Sequence, residues 1–210
     1  MDLKLISAAQ SDTGRRSANE DYYTIDQANG LYVVADGTSS RGGGHVASEV
    51  ACTEIRQRLS VRGPNLAGQS ESALAEALRE VVGEANEQIL ARQETDANLA
   101  KMTTTLVAVL LRDNTLHVAW VGDSRVYLCR NGELTQLTRD HNLENYLKDN
   151  PGVMQKVDRP GKTLLSAMGL KAKQLRIDCF SQRLERDDLF LLCTDGLTDA
   201  LPDWILTEIL

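Results

Sequence analysis

The chain has 210 residues, of which 42% are hydrophobic and 25% are charged. This length suits one domain with a sizeable core, and the composition excludes a disordered or fibrous protein. Acidic residues outnumber basic ones by 30 to 23, which gives a net charge of −7. Such a chain, without a basic block, favours neither nucleic acid nor an anionic membrane as a partner, but it suits cations wherever carboxylates converge.

The cysteines and the opening residues indicate the compartment. No Cys-x-x-Cys pair and no histidine at zinc-ligand spacing accompany the four cysteines, which are Cys52, Cys129, Cys179 and Cys193. Unpaired thiols within apolar runs are typical of a reducing compartment. Residues 1–6 are too short and polar to form the apolar core of a signal peptide, and no apolar run is long enough to span a bilayer. We therefore expect a cytoplasmic protein.

The first predicted elements are a strand and two helices. A short β-type run at residues 31–34 is followed by two stretches of helical periodicity, the second starting near Ser70. The apolar face of the first helix consists of Val46, Val50, Ile55 and Leu59. The apolar face of the second helix consists of Leu74, Leu78, Val81, Ala85 and Ile89.

Strands dominate the rest of the chain. The β-type runs cover residues 104–111, 115–121, 125–128 and 188–193. The turn signals Asp113-Asn114 and Asn131-Gly132 lie beside these runs, so the middle of the chain is predicted to be an antiparallel meander. Strands combined with two long helices indicate an α+β fold, in a single domain over residues 1–210.

One segment has no sustained period. Between Asp140 and Lys171, the dipeptides Pro151-Gly152 and Pro160-Gly161 interrupt the chain twice. Long irregular excursions within compact domains are often functional. We expect residues 140–171 to form a flap-like insertion beside the functional site.

Acidic residues mark the edges of the predicted strands. Glu20-Asp21 precedes one β-type run, and three others end at the acidic residues Asp36, Asp123 and Asp195. A single Asp-Gly at a strand end is most simply a turn. Several such carboxylates brought together would repel one another unless a cation neutralised them. Oxygen ligands of this kind favour hard ions such as Mg²⁺ or Mn²⁺ over zinc.

Several short motifs also follow one another in the order typical of one enzyme family. They are Gly14-Arg-Arg16-Ser-Ala-Asn19-Glu20-Asp21, Val33-Val-Ala-Asp36-Gly37, Gly44-His-Val-Ala-Ser48, Met102-Thr-Thr104-Thr105-Leu106, Gly122-Asp123-Ser124-Arg125-Val-Tyr127, Asp140-His141 and Thr194-Asp195-Gly196-Leu197-Thr-Asp199. From about Gly14 onwards the chain thus resembles the metal-dependent protein phosphatases, the type 2C serine/threonine phosphatases.

The resemblance implies a fold and a metal centre. The fold would be a four-layer α-β-β-α sandwich, in which two antiparallel sheets face each other with helices outside. The centre would hold two Mg²⁺ or Mn²⁺ ions and a third, weaker one. Asp36 matches the residue that bridges two ions, while Glu20 and the carbonyl of Gly37 serve one of them and Asp195 serves the other.

The remaining site residues have more specific implied roles. Asp123 matches an acid that helps Asp195 to hold the third ion, and Asp21 is expected to hold a metal-bound water. Arg16 matches the arginine that grips the substrate phosphate, and its planar fork suits two phosphate oxygens. Two ions about 3.5–4 Å apart supply hydroxide at neutral pH, which attacks phosphorus in line. The implied substrates are phosphoserine and phosphothreonine proteins, the products of an opposing serine/threonine kinase.

Departures from the family pattern leave two questions open. Thr38 stands where some relatives have a histidine that donates a proton, so that task would fall to a metal-bound water, His45 or His141. The chain ends at Leu210 without the Gly-x-Asp-Asn-type motif that supplies a further acid in the family. We therefore expect a truncation or natural fragment with a weakened Asp36/Asp195 ion site and reduced turnover.

Two alternatives were considered. Cys52-x₅-Arg58 has the spacing of cysteine-dependent tyrosine phosphatases, but it lacks glycine and lies in helical periodicity, so it is rejected. A phosphoprotein-binding regulatory module that keeps the fold with weak or no turnover remains the alternative to an enzyme.

Overall fold

The computed structural model describes residues 5–40, 42–66, 68–153 and 156–210. The prediction about a signal peptide rests on residues 1–6, of which 1–4 lie outside the described part. The strands are β1 (Asp21–Asp26), β2 (Leu31–Thr38), β3 (Thr103–Thr104), β4 (Leu106–Arg112), β5 (Thr115–Val121), β6 (Arg125–Arg130), β7 (Glu133–Gln136), β8 (Asp178–Arg183) and β9 (Leu189–Cys193). The α-helices are α1 (Gly44–Leu66), α2 (Glu71–Thr95), α3 (Leu143–Asp149), α4 (Asp195–Thr198) and α5 (Asp203–Ile209).

These strands form two antiparallel sheets. The larger sheet has the order β1-β2-β4-β5-β8, with β3 paired to β2, and the smaller sheet has the order β7-β6-β9. Helix α1 packs on β1 and β2, whereas α2 packs on β5 and β8. The short helix α5 contacts β7 and buries Leu206. This arrangement confirms the predicted α+β fold of two antiparallel sheets with helices.

The hydrophobic core has two layers, one on each face of the larger sheet, and β4 contributes side chains to both. Leu106, Ala108 and Leu110 face the two long helices, and Val107 and Val109 face the smaller sheet. The continuous apolar run of β4 therefore reflects burial on both sides of the larger sheet. The predicted apolar faces of α1 and α2 contribute to the helix-side layer, and the hydroxyl of Ser70 caps α2 by accepting from the Ala73 N–H.

Both predicted turns are present, but the meander is wrong in one respect. Asp113 and Asn114 connect β4 to β5 with φ of 48° and 60°, and Asn131 and Gly132 connect β6 to β7 with φ of 55° and 77°. Two consecutive residues at positive φ are typical of tight hairpin turns. Strands β5 and β6 do not pair, because the chain crosses from one sheet to the other at Gly122.

The described parts of the segment 140–171 contain more regular structure than the sequence indicates. The segment contains α3, whose N-cap Asn142 accepts a hydrogen bond from the Asn145 N–H at 3.0 Å. The buried Asp140 carboxylate at its start receives two hydrogen bonds from the Arg125 guanidinium, at 3.0 and 2.8 Å. At its far end, Met168 exchanges two backbone hydrogen bonds with Thr104, at 3.1 and 2.8 Å. Both ends of the segment are thus fastened to the strands that carry the motifs.

The helices were also compared with the thickness of a bilayer. Within the described residues, no helix is both long enough and apolar enough to cross a membrane.

Candidate functional site

The pairing of β1 with β2 brings two of the predicted acids together. Asp21 lies directly opposite Asp36 in the antiparallel register. The Gly37 N–H donates to the Glu20 carbonyl at 3.0 Å, and the Ser48 hydroxyl of α1 donates to the same carbonyl at 2.6 Å. The start of β1, the end of β2 and the start of α1 therefore meet at one point, where the backbone carbonyl of Glu20 is held by two hydrogen bonds.

Glycine is required at this meeting point. A Cβ added to Gly37 would lie 2.0 Å from the Gly44 carbonyl oxygen. A Cβ added to Gly44 would lie 2.6 Å from the Glu20 Oε1 atom. The Asp-Gly of the second motif is consequently more than a turn signal, because the missing side chains let α1 approach the carboxylate.

Asp195 joins this cluster from the smaller sheet. It is the first residue of α4, directly after β9, and the preceding Thr194 donates its hydroxyl to Asp21 Oδ2 at 2.9 Å. The Asp36 carboxyl lies within hydrogen-bonding reach of those of Asp21 and Asp195. Three of the predicted acids therefore converge, although they are far apart in sequence.

The electrostatics of this cluster are those of crowded carboxylates. Burial, together with the charges of Asp21, Asp195 and Asp123, raises the pKa of Asp36 to about 8. Burial and the charge of Asp195 likewise raise the pKa of Asp123 to about 6. Such a set retains protons unless a cation replaces them, and its oxygen donors suit Mg²⁺ or Mn²⁺. The donor set thus fits the implied ions, although no three acidic, histidine or cysteine side chains in the described part are already spaced to hold one.

A chain of hydroxyl groups braces Asp36 from behind. The Asp36 N–H donates to Thr105 Oγ1 at 3.0 Å, and the Asp36 carbonyl accepts from the Thr104 hydroxyl at 2.9 Å. Thr105 also shares a hydrogen bond of 2.6 Å with Ser124, the residue after Asp123. The role of these hydroxyls was not predicted, although the three consecutive threonines at 103–105, before an apolar strand, are a detectable signal in the sequence.

Arg16 lies on an exposed turn at the edge of the cluster. Its N–H donates to the Thr13 carbonyl at 3.1 Å, and its side chain is close enough for its charge to lower the pKa values of Asp21 and Asp195. The charge of Arg16 is not the largest influence on the pKa of either Asp21 or Asp195. Burial of each acid has a larger effect, and it raises the pKa. The structure therefore brings this predicted residue to the carboxylates but leaves its guanidinium accessible.

Lys162 is a site residue that the sequence analysis missed. Its Nζ atom lies 2.7 Å from Asp195 Oδ2 and 2.5 Å from Asp199 Oδ1. Burial is the largest single influence on Asp195 and opposes its ionisation. The hydrogen bonds from Lys162 and Asp36, together with the positive charges of Lys162 and Arg16, nevertheless lower the pKa of Asp195 below its usual value. No local pattern announces this contact, because Lys162 and Asp195 are 33 positions apart.

The two candidate proton donors differ sharply. His45 is exposed on the first turn of α1, next to Gly44. His141 is buried, and its ring bonds to the backbone N–H of Gly122 and to Asp178. Because both ring nitrogens of His141 have partners within the protein, the structure favours His45 over His141 among the two histidines named as alternatives for the proton donor.

A cleft of about 990 Å³ opens beside the carboxylates. Its lining includes Asp123 and Asp195 together with Asn142, Glu144 and Lys162 of the segment 140–171. The cleft therefore gives solvent access to Asp123 and Asp195 beside this segment.

Comparisons with known proteins agree with this geometry. The family model described as "Protein phosphatase 2C" matches residues 10–207. The "Serine/threonine phosphatase stp" of Listeria monocytogenes is 36% identical over 209 residues, which cover 96% of this chain and 81% of that protein. The structure of PppA, described as a regulatory component of T6SS in Pseudomonas aeruginosa, matches at 30% identity with a TM-score of 0.77, covering 93% of this chain and 78% of that one. The catalytic domain of the phosphatase PstP in complex with two manganese ions matches at 30% identity and a TM-score of 0.74, covering 92% of this chain and 78% of that one.

Proposed function

This chain belongs to the protein phosphatase 2C family of metal-dependent serine/threonine phosphatases, and we propose that the carboxylates around Asp36, together with Arg16, carry out its reaction. It is a Mg²⁺- or Mn²⁺-dependent enzyme whose substrates are phosphoproteins. The single observation that supports the assignment best is the convergence of the Asp21, Asp36 and Asp195 carboxyls from distant parts of the chain, where burial and the neighbouring acids raise the pKa of Asp36 to about 8. A carboxyl that holds a proton so strongly is a natural ligand for a pair of cations.

Each proposed metal ligand has its own role at the centre. Asp36 would hold both ions, the Glu20 carboxylate and the Gly37 carbonyl would serve one of them, and Asp195 would serve the other. When bound, the ions lower the pKa of water so that hydroxide can attack phosphorus at neutral pH. The hydroxyls of Thr104 and Thr105 hold the backbone of Asp36 in place for this role.

The other proposed roles concern the third ion, the water and the substrate. Asp123 and Asp195 would hold a third, weaker ion, and Asp21 would orient a water at the metal centre. The Thr194 hydroxyl donates a hydrogen bond to Asp21 Oδ2 and so orients the Asp21 carboxylate. The accessible guanidinium of Arg16 clamps two oxygens of the substrate phosphate, as a planar fork can and an ammonium cannot.

The nucleophile in this proposal is water and not a thiol. Cys52 is buried on α1, where its thiol donates to the Tyr22 carbonyl and burial raises its pKa well above the ordinary value. A thiolate would be the reactive form of a cysteine nucleophile. Cys52 in this environment is a structural residue, so alkylating reagents should leave the activity intact.

The wider setting also belongs to the proposal. We propose that the enzyme acts in the cytoplasm on phosphoserine and phosphothreonine made by a serine/threonine kinase, without binding nucleic acid or membrane. Four free cysteines and a net charge of −7 support this setting. We also propose that residues 140–171 form a flap on a single catalytic domain and influence which phosphoproteins enter, since this segment lines the cleft.

The decisive experiment follows hydrolysis of a phosphothreonine peptide and of para-nitrophenyl phosphate. Activity should require Mn²⁺ or Mg²⁺ and disappear in EDTA, and Asp36→Asn should abolish it because the bridging charge is lost. Asp113→Asn is the matched control, because it removes a carboxylate from a hairpin turn outside the cluster. Full activity in EDTA, or its loss on alkylation of Cys52, would contradict the proposal. Peptide binding without turnover would instead favour the regulatory module.

A further inference from the structure

The turn before Asp123 is held by His141, which lies at the start of the segment 140–171. The side chain of His141 accepts a hydrogen bond from the Gly122 N–H at 3.2 Å through Nδ1. The backbone N–H of His141 donates to the Gly122 carbonyl at 2.9 Å. Both polar backbone groups of Gly122 are therefore bonded to the same residue, immediately before Asp123.

The protonation of His141 follows from these contacts. Since Nδ1 accepts from an N–H group, the ring proton must be on Nε2, which lies 3.3 Å from Asp178 Oδ2 and donates to it. Asp178 is held in turn by the Arg176 guanidinium. The His141 ring also stacks on Trp120, with centroids 5.8 Å apart. The imidazole is thus neutral and fixed in orientation, and no proton is left to donate to a substrate.

The opposite side of the turn is closed by packing. Gly122 has a φ of 96°, and a Cβ added to it would lie 2.8 Å from the Thr105 methyl group. Thr105 is the residue whose hydroxyl also bonds to the Asp36 N–H. The direction of the Asp123 side chain is therefore set between Thr105 on one side and His141 on the other.

We propose that His141 is a positioning residue, which orients the Asp123 carboxylate and thereby sets the affinity of the Asp123/Asp195 pair for its cation. This inference rests on the proposed function, because it assumes that Asp123 helps to hold an ion. This role of His141 would also link the segment 140–171 to the metal centre. His141 precedes Asn142, the N-cap of α3, and the carbonyl of His141 accepts a hydrogen bond from the Leu165 N–H at 2.8 Å. Partners of this kind, which act through a ligand, typically change metal affinity 10–100-fold when removed.

Two variants of His141 separate positioning from mere filling of space. His141→Asn keeps an acceptor near the position of Nδ1, so the bond from Gly122 survives, and Mn²⁺ affinity should stay within about threefold of the wild type. His141→Gln moves its amide away from Gly122, and the weakest Mn²⁺ step in a calorimetric titration should weaken about tenfold. The matched control is His117→Gln, because His117 is equally buried in β5 but bonds to Ser181, outside the cluster. His117→Gln should lose stability without losing Mn²⁺ affinity.

A double-mutant cycle identifies the residue through which His141 acts. In an Asp123→Ala background, His141→Gln should cause no further loss of Mn²⁺ affinity. Asp178→Ala releases the imidazole from the partly exposed side of the protein, so it should fold and weaken the same Mn²⁺ step two- to threefold. If Asp123→Ala weakens Mn²⁺ binding but neither His141→Gln nor Asp178→Ala does, the positioning role is wrong. If Asp123→Ala itself has no effect, the proposed metal role of Asp123 is wrong, and the inference falls with it.

Discussion

Replacing Lys162 with methionine should increase the affinity of the protein for Mn²⁺. The ammonium lies 2.7 Å from Asp195 Oδ2 and 2.5 Å from Asp199 Oδ1, so a cation that enters at Asp195 must first displace it. The side chains of Lys162 and Asp195 are 40% and 30% exposed, which reduces the strength of the pair. Partly exposed pairs contribute about 0.5 kcal/mol each, so the two contacts together oppose the ion by about 1 kcal/mol. Lys162→Met should therefore bind Mn²⁺ about fivefold more tightly, since 1.4 kcal/mol corresponds to a factor of ten.

Calorimetric titration of the EDTA-treated protein with Mn²⁺ measures this change directly. Lys148→Met is the control, because Lys148 also lines the cleft but pairs with Glu144 on its own helix. Its Mn²⁺ affinity should equal that of the wild type. Added salt should reduce the difference in Mn²⁺ affinity between Lys162→Met and the wild type. Salt screens the ion pairs of Lys162 in the wild type, which are the contacts that the substitution removes. An unchanged or weaker Mn²⁺ affinity in Lys162→Met would refute the view that this lysine competes with the ion.

Three further predictions concern the clamp, the pH dependence and the flap. Arg16→Ala should raise KM for phosphopeptides at least tenfold while leaving Mn²⁺ titration nearly unchanged, and an unaltered kcat/KM would exclude the clamp. Without metal, the native state keeps a proton on Asp36 up to a pKa of about 8, whereas the unfolded chain releases it near 3.8, so the free energy of unfolding should fall as pH rises between these values. Melting curves in EDTA from pH 5 to 8 check this, and Asp36→Asn should flatten the dependence; stability that rises with pH would contradict it. Asn142→Ala removes the N-cap of α3 and should destabilise this helix by about 1 kcal/mol. Activity on a phosphoprotein should then fall more than activity on a small aryl phosphate. Equal losses on both substrates would contradict a role of the segment 140–171 in substrate choice.

The helices and hairpins were predictable because their signals are local. The apolar stripe of α2 is buried, as its period of 3.6 requires, and Ser70 caps this helix. The hairpin turns at Asp113-Asn114 and Asn131-Gly132 adopt the positive φ values that these residue types tolerate. The positions of Asp36, Asp123 and Asp195 near strand ends followed from the same local patterns, although Asp36 lies within β2 and not after it.

The features that the sequence did not predict depend on contacts between distant residues. Strand β8 is only partly buried, so it lacks the apolar alternation that marks a strand, yet it carries Asp178. The change of sheet at Gly122 is decided by which strands pair, which no local period records. Helix α3 has just seven residues and is stabilised by its cap at Asn142 more than by an apolar face. The contact from Lys162 to Asp195 exists only once the segment 140–171 has folded over the cleft.

The way the segment 140–171 is fastened has a consequence for how such enzymes diversify. Two of its attachments, His141 to Gly122 and Met168 to Thr104, include hydrogen bonds between backbone atoms, which are indifferent to the side chains of the residues between them. We therefore expect that residues 142–167 can be replaced by the corresponding loop of a relative while the two anchor points stay fixed. A chimera that carries the corresponding loop of another member should still hydrolyse a small aryl phosphate, while its ranking of phosphoproteins shifts towards that of the donor. If the chimera behaves in this way, replacement of one loop is enough to change which phosphoproteins the catalytic domain accepts.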